Sequence, residues 1–245
     1  MSPTADTQTV TISFFRYRGL QQIWGMQQMY GARAPMRKMQ GLKFFKPLGS
    51  GSGVGYSIWP DWSVYGMLAV WDNEKNAEDY LASQLYQTYI AHSVEQYTIF
   101  LKPLSSRGAW SGFNGWEFSD PNPGSPLIAA LTRATLKKEF LFKFWSMVPH
   151  VSSEHKDYPG LLFTKGIGEI PLMEQATFSV WKNVASMEAF AYQTFHQDAI
   201  KETRRRNGFK EEMFTRLKPY RTAGHWKGGD PLKLLLEQKP DVVLK

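Results

Sequence analysis

The stretch K-F-F-K-P-L-G, Lys43–Gly49, returns 119 residues later as L-F-T-K-G-I-G, Leu162–Gly168. Upstream of each copy, Trp24-Gly25-Met26 answers Trp145-Ser146-Met147. Downstream, Y-G-M-L-A-V-W (Tyr65–Trp71) answers Q-A-T-F-S-V-W (Gln175–Trp181) at an offset of 110, and Tyr86-Gln87-Thr88-Tyr89 answers Tyr192-Gln193-Thr194-Phe195 at 106. Leu101-Lys102-Pro103, followed by G-A-W-S-G at Gly108–Gly112, answers Leu217-Lys218-Pro219, followed by G-H-W-K-G at Gly224–Gly228, at 116. Matches that keep one order, with offsets that drift as loop insertions require, describe a tandem duplication.

Each half has the same rhythm. Thr9–Phe15 is rich in β-branched and aromatic residues and reads as a strand. A helix over Gln21–Met39, strands over Leu42–Pro47 and Trp62–Trp71, a helix from Asn76 to Val94 and a strand over Tyr97–Leu104 complete the half. The second half offers strands at Leu127–Leu136, Leu161–Gly166, Gln175–Lys182 and Met213–Tyr220, with helices at Lys138–Val148 and Ser186–Arg206. Asn76 and Ser186 are the expected helix caps, each with acidic residues in the turn that follows. The order β-α-β-β-α-β is the ferredoxin-like unit. The expected fold class is therefore α+β, with two tandem ferredoxin-like halves packed as a fused dimeric α/β-barrel. Residues 9–119 form the first half and 127–229 the second. The proline-rich segment 120–126 is the linker, and 230–245 is a tail with a short Leu-rich helix.

Composition narrows the chemistry. In 245 residues, 29 Lys and Arg face 22 Asp and Glu, a net charge of +7, and aromatic residues make up 15 %. Disorder is excluded for the bulk of such a chain. No cysteine is present, which removes disulfides, thiolate metal sites and Cys nucleophiles. The polar start and the lack of any run of ~20 apolar residues point to a cytosolic protein. The basic residues are scattered apart from Arg204–Arg206, and no nucleic-acid motif accompanies them, so no nucleic-acid partner is expected. Gly49–Gly55 alternates glycines but lacks the Lys-Ser/Thr of a P-loop and reads as a turn between strands. His150 and His155 lack the H-E-x-x-H pattern, and Glu211-Glu212 reads as a solvated pair.

Five histidines remain: His92, His150, His155, His196 and His225. On the helix expected over Ser186–Arg206, Tyr192, His196, Ala199, Ile200 and Thr203 fall on one stripe, with Asp198, Lys201, Glu202, Arg204 and Arg205 opposite. His196 should thus point toward the sheet. Its counterpart in the first half, Ile90, shows that the fold itself does not need a histidine there. A buried histidine bonded to a carbonyl and a metal or haem ligand are both compatible with this position. His92 and His225 read as surface or loop residues.

Further stretches carry a resemblance to a known family: L-K-F-F-K-P-L-G-S-G-S-G-V-G (Leu42–Gly55), V-Y-G-M-L-A-V-W (Val64–Trp71) and L-S-S-R-G-A-W-S-G (Leu104–Gly112). To these add P-L-I-A-A-L-T-R-A-T (Pro126–Thr135), F-W-S-M-V-P (Phe144–Pro149), P-G-L-L-F-T-K-G-I-G-E-I-P-L (Pro159–Leu172) and F-H-Q-D-A-I (Phe195–Ile200). From Val10 to Gly229 the chain resembles the spheroidene monooxygenases of carotenoid biosynthesis. It differs at Asn207-Gly208-Phe209, where the resemblance leads one to expect Gly-Trp-Phe. The resemblance implies a monooxygenase that hydroxylates, then oxidises to a ketone, the terminal C-2 position of a linear carotenoid. It also implies haem b, dioxygen and a reduced ferredoxin-type donor. By analogy with haem proteins on this architecture, His196 is the expected iron ligand, with Arg204 and Arg133 as candidate cations for the propionates; the catalytic residues are not identified. The positive charge suits an acidic ferredoxin or peripheral contact with an anionic membrane. A non-catalytic haem- or carotenoid-binding barrel, and a dehydratase or peroxidase-like haem enzyme, are the rival readings.

Overall fold

Eight strands and their order organise the molecule. The computed structural model describes residues 7–53, 57, 59–122, 124–146, 158–193 and 201–237, without the side chains of residues 192 and 193. The strands are β1 (Thr9–Arg16), β2 (Leu42–Gly51), β3 (Pro60–Trp71), β4 (Glu95–Gly108), β5 (Ile128–Leu136), β6 (Leu161–Gly168), β7 (Glu174–Trp181) and β8 (Phe209–Gly224). They close into one antiparallel barrel in the order β1-β3-β2-β6-β7-β5-β8-β4. Each half therefore lays its strands in the same order: fourth, first, third, second. The registers agree as well: Trp71 faces Thr9 as Trp181 faces Ile128. The second strand of each half bulges at a matching place, between Leu42 and Phe44 and between Leu161 and Phe163. The seams differ. β4 and β8 pair from Tyr97↔Gly224 to Gly108↔Met213, whereas β2 meets β6 only at Gly49↔Gly168 and Ser50↔Ile167.

The barrel interior is a packed core. Val10, Ile12 and Phe14 of β1 meet Phe163 and Phe178 from the other half, with Phe14–Phe163 ring centroids 5.3 Å apart and Phe163–Phe178 6.2 Å apart. Two tryptophans, Trp110 and Trp226, join this core from the hairpins that follow β4 and β8. Ser111-Gly112 and Lys227-Gly228 take positive φ at both central positions (51° and 79°, 53° and 82°), as a type I′ turn demands. The indole N–H of Trp110 donates to Glu169 at 2.7 Å, and the Arg16 guanidinium lies 4.6 Å from the Trp226 ring. Leu232 of the tail is buried in the same core, and Asp230 beside it accepts from the hydroxyls of Tyr97 (2.7 Å) and Thr222 (2.5 Å).

Helices cover the outer face: α1 (Gln21–Gly31), α2 (Arg33–Met36), α3 (Glu74–Ala82), α4 (Gln84–His92), α5 (Val184–Gln193) and, on the tail, α6 (Lys233–Glu237). Two of the long helices expected from sequence are divided. The first breaks between Gly31 and Arg33, where a poor helix former is followed by Pro35, which has no N–H to give. The second breaks at Ser83, whose extended backbone ends α3 and whose hydroxyl accepts from the Tyr86 N–H to begin α4. The caps also differ from expectation. Asn73 accepts from the Asn76 N–H (3.0 Å) and Asn183 from the Ser186 N–H (2.8 Å), so each cap lies three residues earlier, just after Trp71 or Trp181. Downstream of β5, residues 138–140 are 3-10 and 141–146 helical; residues 201–205 are helical ahead of β8. Among the described residues, no helix is long and apolar enough to cross a membrane.

Candidate functional site

With the lumen filled, room for a ligand is sought between sheet and helices, and there the two halves part. Matching registers pair each outer-face residue with its counterpart. In the first half Phe15, Phe45, Tyr65 and Met67 stand where the second half has Ala134, Thr164, Gln175 and Thr177. Pro47 is likewise answered by Gly166.

The first outer face is full. Phe15, Tyr17, Tyr65, Met67, Trp71, Tyr80, Tyr86 and Tyr89 form one buried cluster, with Phe15 and Tyr89 rings 4.9 Å apart. Burial pushes the hydroxyl of Tyr86 up to about 12, against partial relief by hydrogen bonds to Thr98 and Ser13. It pushes those of Tyr17, Tyr80 and Tyr89 higher still.

Over the second face the described cluster is smaller: Ile128, Ala130, Trp181, Met187 and Phe190, near the Trp181 end. Toward the other end Thr132, Ala134, Thr177 and Gly166 make a floor of small residues. The hydroxyls of Thr164 and Thr177 are buried there and have no hydrogen-bond partner among the described residues. A flat apolar cofactor needs such a surface, so these residues fit a haem laid against the sheet. The signal was already present in the repeat: Y-G-M against Q-A-T contains two of the exchanges that clear the floor.

Of the residues singled out from sequence, Arg204 and Arg133 approach adjacent carboxylates from opposite faces. Arg204 pairs with Glu212 at 3.1 Å, on the outer face, and Glu212 sits across from Ala134 at the rim of the floor. Arg133 points inward, buried, and pairs with Glu211 and with Glu174 at 3.5 Å, its guanidinium 5.7 Å from the Trp110 ring. Glu211 also accepts the N–H groups of Ser111 and Gly112. It is therefore not a solvated carboxylate as expected, but an anchor of the Trp110 hairpin. Burial alone would raise its pKa; these hydrogen bonds and the Arg133 charge outweigh burial and hold it low.

His150, His155 and His196 lie outside the described residues. On the expected stripe Thr203 is buried, while Lys201, Arg204 and Arg205 are exposed. His92 stacks on Trp24 with ring centroids 4.1 Å apart and bonds Gln21, and His225 is exposed. Among the described residues no group of three or more His, Asp or Glu could hold a metal ion. At the departure from the expected Gly-Trp-Phe, Asn207 takes φ 51° and the Gly208 N–H closes the helix on Thr203. A Cβ at Gly208 would stand 2.6 Å from the Phe140 ring, so this closure has no room for a larger residue.

No protein-family profile matches the chain. The spheroidene monooxygenase of Rhodobacter capsulatus is 39 % identical over 228 residues, covering 91 % of this chain and 94 % of that protein. Those of Cereibacter sphaeroides and Rubrivivax gelatinosus are 38 % and 33 % identical, covering 97 % and 84 % of this chain and 75 % and 80 % of theirs. Among solved structures, an aldoxime dehydratase matches with a TM-score of 0.60 at 10 % identity, over 89 % of this chain and 83 % of that one. A second aldoxime dehydratase gives 0.56 at 9 %, and both likenesses are of fold. Identity of this order, sustained along nearly the whole of both chains, places the protein in the spheroidene monooxygenase family.

Proposed function

We propose that the protein is a haem-dependent monooxygenase that places a hydroxyl and then a keto group at the terminal C-2 position of a linear, spheroidene-type carotenoid. The cleared outer face of the second half carries this reading, and the names of the relatives supply the substrate class. The common strand order and register of the two halves support a tandem repeat of ferredoxin-like units, 9–119 and 127–229, joined by 120–126.

The repeat also supports His196 as the iron ligand. Ile90, the counterpart of His196, packs against the outer cluster of the first half. Its neighbour Tyr89 covers Phe15, whose counterpart is Ala134. By this correspondence His196, which lies outside the described residues, is the ligand proposed for a haem over Ala134 and Thr177. Arg204, paired with Glu212 at the rim, is the cation proposed for a propionate. Arg133 lies across the sheet and acts on the site through the β5–β8 ladder.

When bound, haem supplies the activation of dioxygen. The protein would supply a floor of small residues, two hydroxyls without a partner among the described residues and the aim of one chain terminus. Each oxygenation consumes dioxygen, two electrons from a ferredoxin-type donor and two protons, releasing water. A second hydroxylation at the same carbon gives a geminal diol, which loses water to the ketone.

Protein expressed with iron and haem precursor should show a Soret band, and a carotenoid-producing host should accumulate keto-carotenoid. His196→Ala should lose the band and the product while far-ultraviolet circular dichroism is unchanged. Unchanged haem occupancy in that variant overturns the ligand, and unaltered pigment with a haem-loaded protein favours a binding module over an enzyme.

A further inference from the structure

Residues 7–60 hold seven Lys or Arg and no Asp or Glu, while the 22 other cations of the chain are matched by 22 carboxylates. The basic residues are scattered; the acidic ones are not. One stretch thus carries the whole +7 excess. Within it Arg16, Lys43 and Lys46 are engaged by Glu95, Asp72 and Glu169. Arg18, Arg37 and Lys38, exposed around α1 and α2, have no ion-pair partner among the described residues, and Arg33 lies over the Tyr30 ring at 5.8 Å.

An apolar stripe runs between these cations. Ile23, Met26 and Tyr30 follow one another at i, i+3 and i+7 on α1, all exposed, with Tyr30 at 79 %. The opposite side of α1 is pressed on the sheet so closely that a Cβ at Gly25 would stand 2.7 Å from the Tyr17 ring. The stripe therefore faces outward. Trp59, 76 % exposed just before β3, and Trp62 within β3 extend it, as does Leu172 ahead of β7. Met26, Trp62 and Leu172 converge on a cavity of about 230 Å³. Its inner wall includes Gly166, Gly168 and Gln175, the edge of the cleared floor.

We propose that this face docks on an anionic phospholipid bilayer, and that the cavity at its centre admits a long apolar substrate from the bilayer to the floor. The docking stands on the surface alone; the passage rests on the carotenoid reading above. Tryptophan and tyrosine favour the headgroup level, and unpaired cations beside them are attracted to anionic lipid. An acidic protein would satisfy the cations but leave the apolar stripe without a use. A second copy would bring like charges together, since the stretch has no carboxylate to answer them.

Flotation of the full chain with vesicles of equal phosphatidylglycerol and phosphatidylcholine tests the docking. The protein should float with these vesicles, remain behind with phosphatidylcholine alone, and release in 0.5 M salt as screening shortens. Tyr30→Ser/Trp59→Ser and Arg37→Glu/Lys38→Glu should each weaken vesicle binding at least tenfold, with Leu234→Ser as an unaffected control. Both double variants should oxidise carotenoid dissolved in detergent at the wild-type rate while losing turnover from vesicles. Failure of the wild type to float, or flotation of both double variants like wild type, overturns docking. So does wild-type self-association, or capture of an acidic ferredoxin in place of lipid, that the same substitutions abolish. A wild type that floats but leaves carotenoid unaltered in both media sinks the catalytic reading and leaves docking intact. Equal losses of turnover in detergent and vesicles overturn the passage.

Discussion

Trp71 and Trp181 occupy matching places in the two halves of the barrel, each ending its strand two residues before its helix cap, and both are buried. Four residues upstream the resemblance ends, with Met67 in one half and Thr177 in the other. On one backbone plan, the first half spends its outer face on rings, while the second withholds side-chain volume between sheet and helix. Packed interiors leave few voids larger than a water molecule. A patch of Ala, Thr and Gly on this sheet face is therefore the place the proposed cofactor would fill. On the proposed function the ring-filled half is scaffold and the cleared half holds the site.

The largest effect should come from erasing the difference. Ala134→Phe/Thr177→Met writes the first half's residues onto the second half's backbone, which matching register shows can carry them. Haem loading and turnover should fall at least a hundredfold, with thermal stability equal or higher. Soret absorbance per folded molecule and a melting curve check this; loading at the wild-type level would remove the floor from the site. The mirror change, Phe15→Ala, opens a void in a packed cluster. It should cost about 3–5 kcal/mol in urea titrations while the surviving folded protein loads normally.

Much of this difference was legible in sequence, and the reasons for what was not are local. The strands Leu42–Gly51 and Leu161–Gly168 were legible from the matching stretches Lys43–Gly49 and Leu162–Gly168, because buried strands need the same apolar pattern wherever they occur. The helix breaks at Gly31–Arg33 and Ser83 were missed since the apolar period runs through them, and tertiary contacts decide whether a serine caps or continues a helix. The role of Glu211 was missed for another reason. Its partners Arg133, Ser111 and Gly112 are far off in sequence and meet only when β4 and β5 both pair with β8. The floor itself was spelled out in Q-A-T against Y-G-M, but a repeat draws the eye to what is kept.

A middle-sized effect should separate the halves in alkali. The phenols of the first outer face are held neutral by burial, that of Tyr86 up to about 12. In the unfolded chain a tyrosine ionises near pH 10. The unfolded state thus loses its proton first, and the stability such a group contributes is present below pH 10 and lost as pH rises toward 12. For Tyr86 alone the two-unit difference amounts to about 2–3 kcal/mol. Lys102, drawn down to about 8 by burial, runs the other way. Between pH 8 and 10.5 the unfolded state holds the extra proton, so stability rises over that window. Hydrogen exchange should then show α3 and α4 opening above pH 10, ahead of β5 and β7. Uniform opening of both halves would mean that the tyrosine cluster does not set the alkaline limit.

The smallest effect tests whether the helices of the two halves are held in the same way. Asn73 and Asn183 cap α3 and α5 with matching bonds, at 3.0 Å and 2.8 Å. Alanine at either should cost about 1 kcal/mol of stability. The consequences should nonetheless differ. α3 brings Ala77 and Tyr80 into a broad buried cluster, so its position survives a frayed first turn. α5 brings Met187 and Phe190 to a narrower one beside the floor, so its cap does a larger share of the positioning. Asn183→Ala should therefore reduce haem affinity several-fold where Asn73→Ala leaves it unchanged, as read by haem transfer to an excess of apomyoglobin. Equal affinities would show that the angle of α5 does not contribute to haem binding.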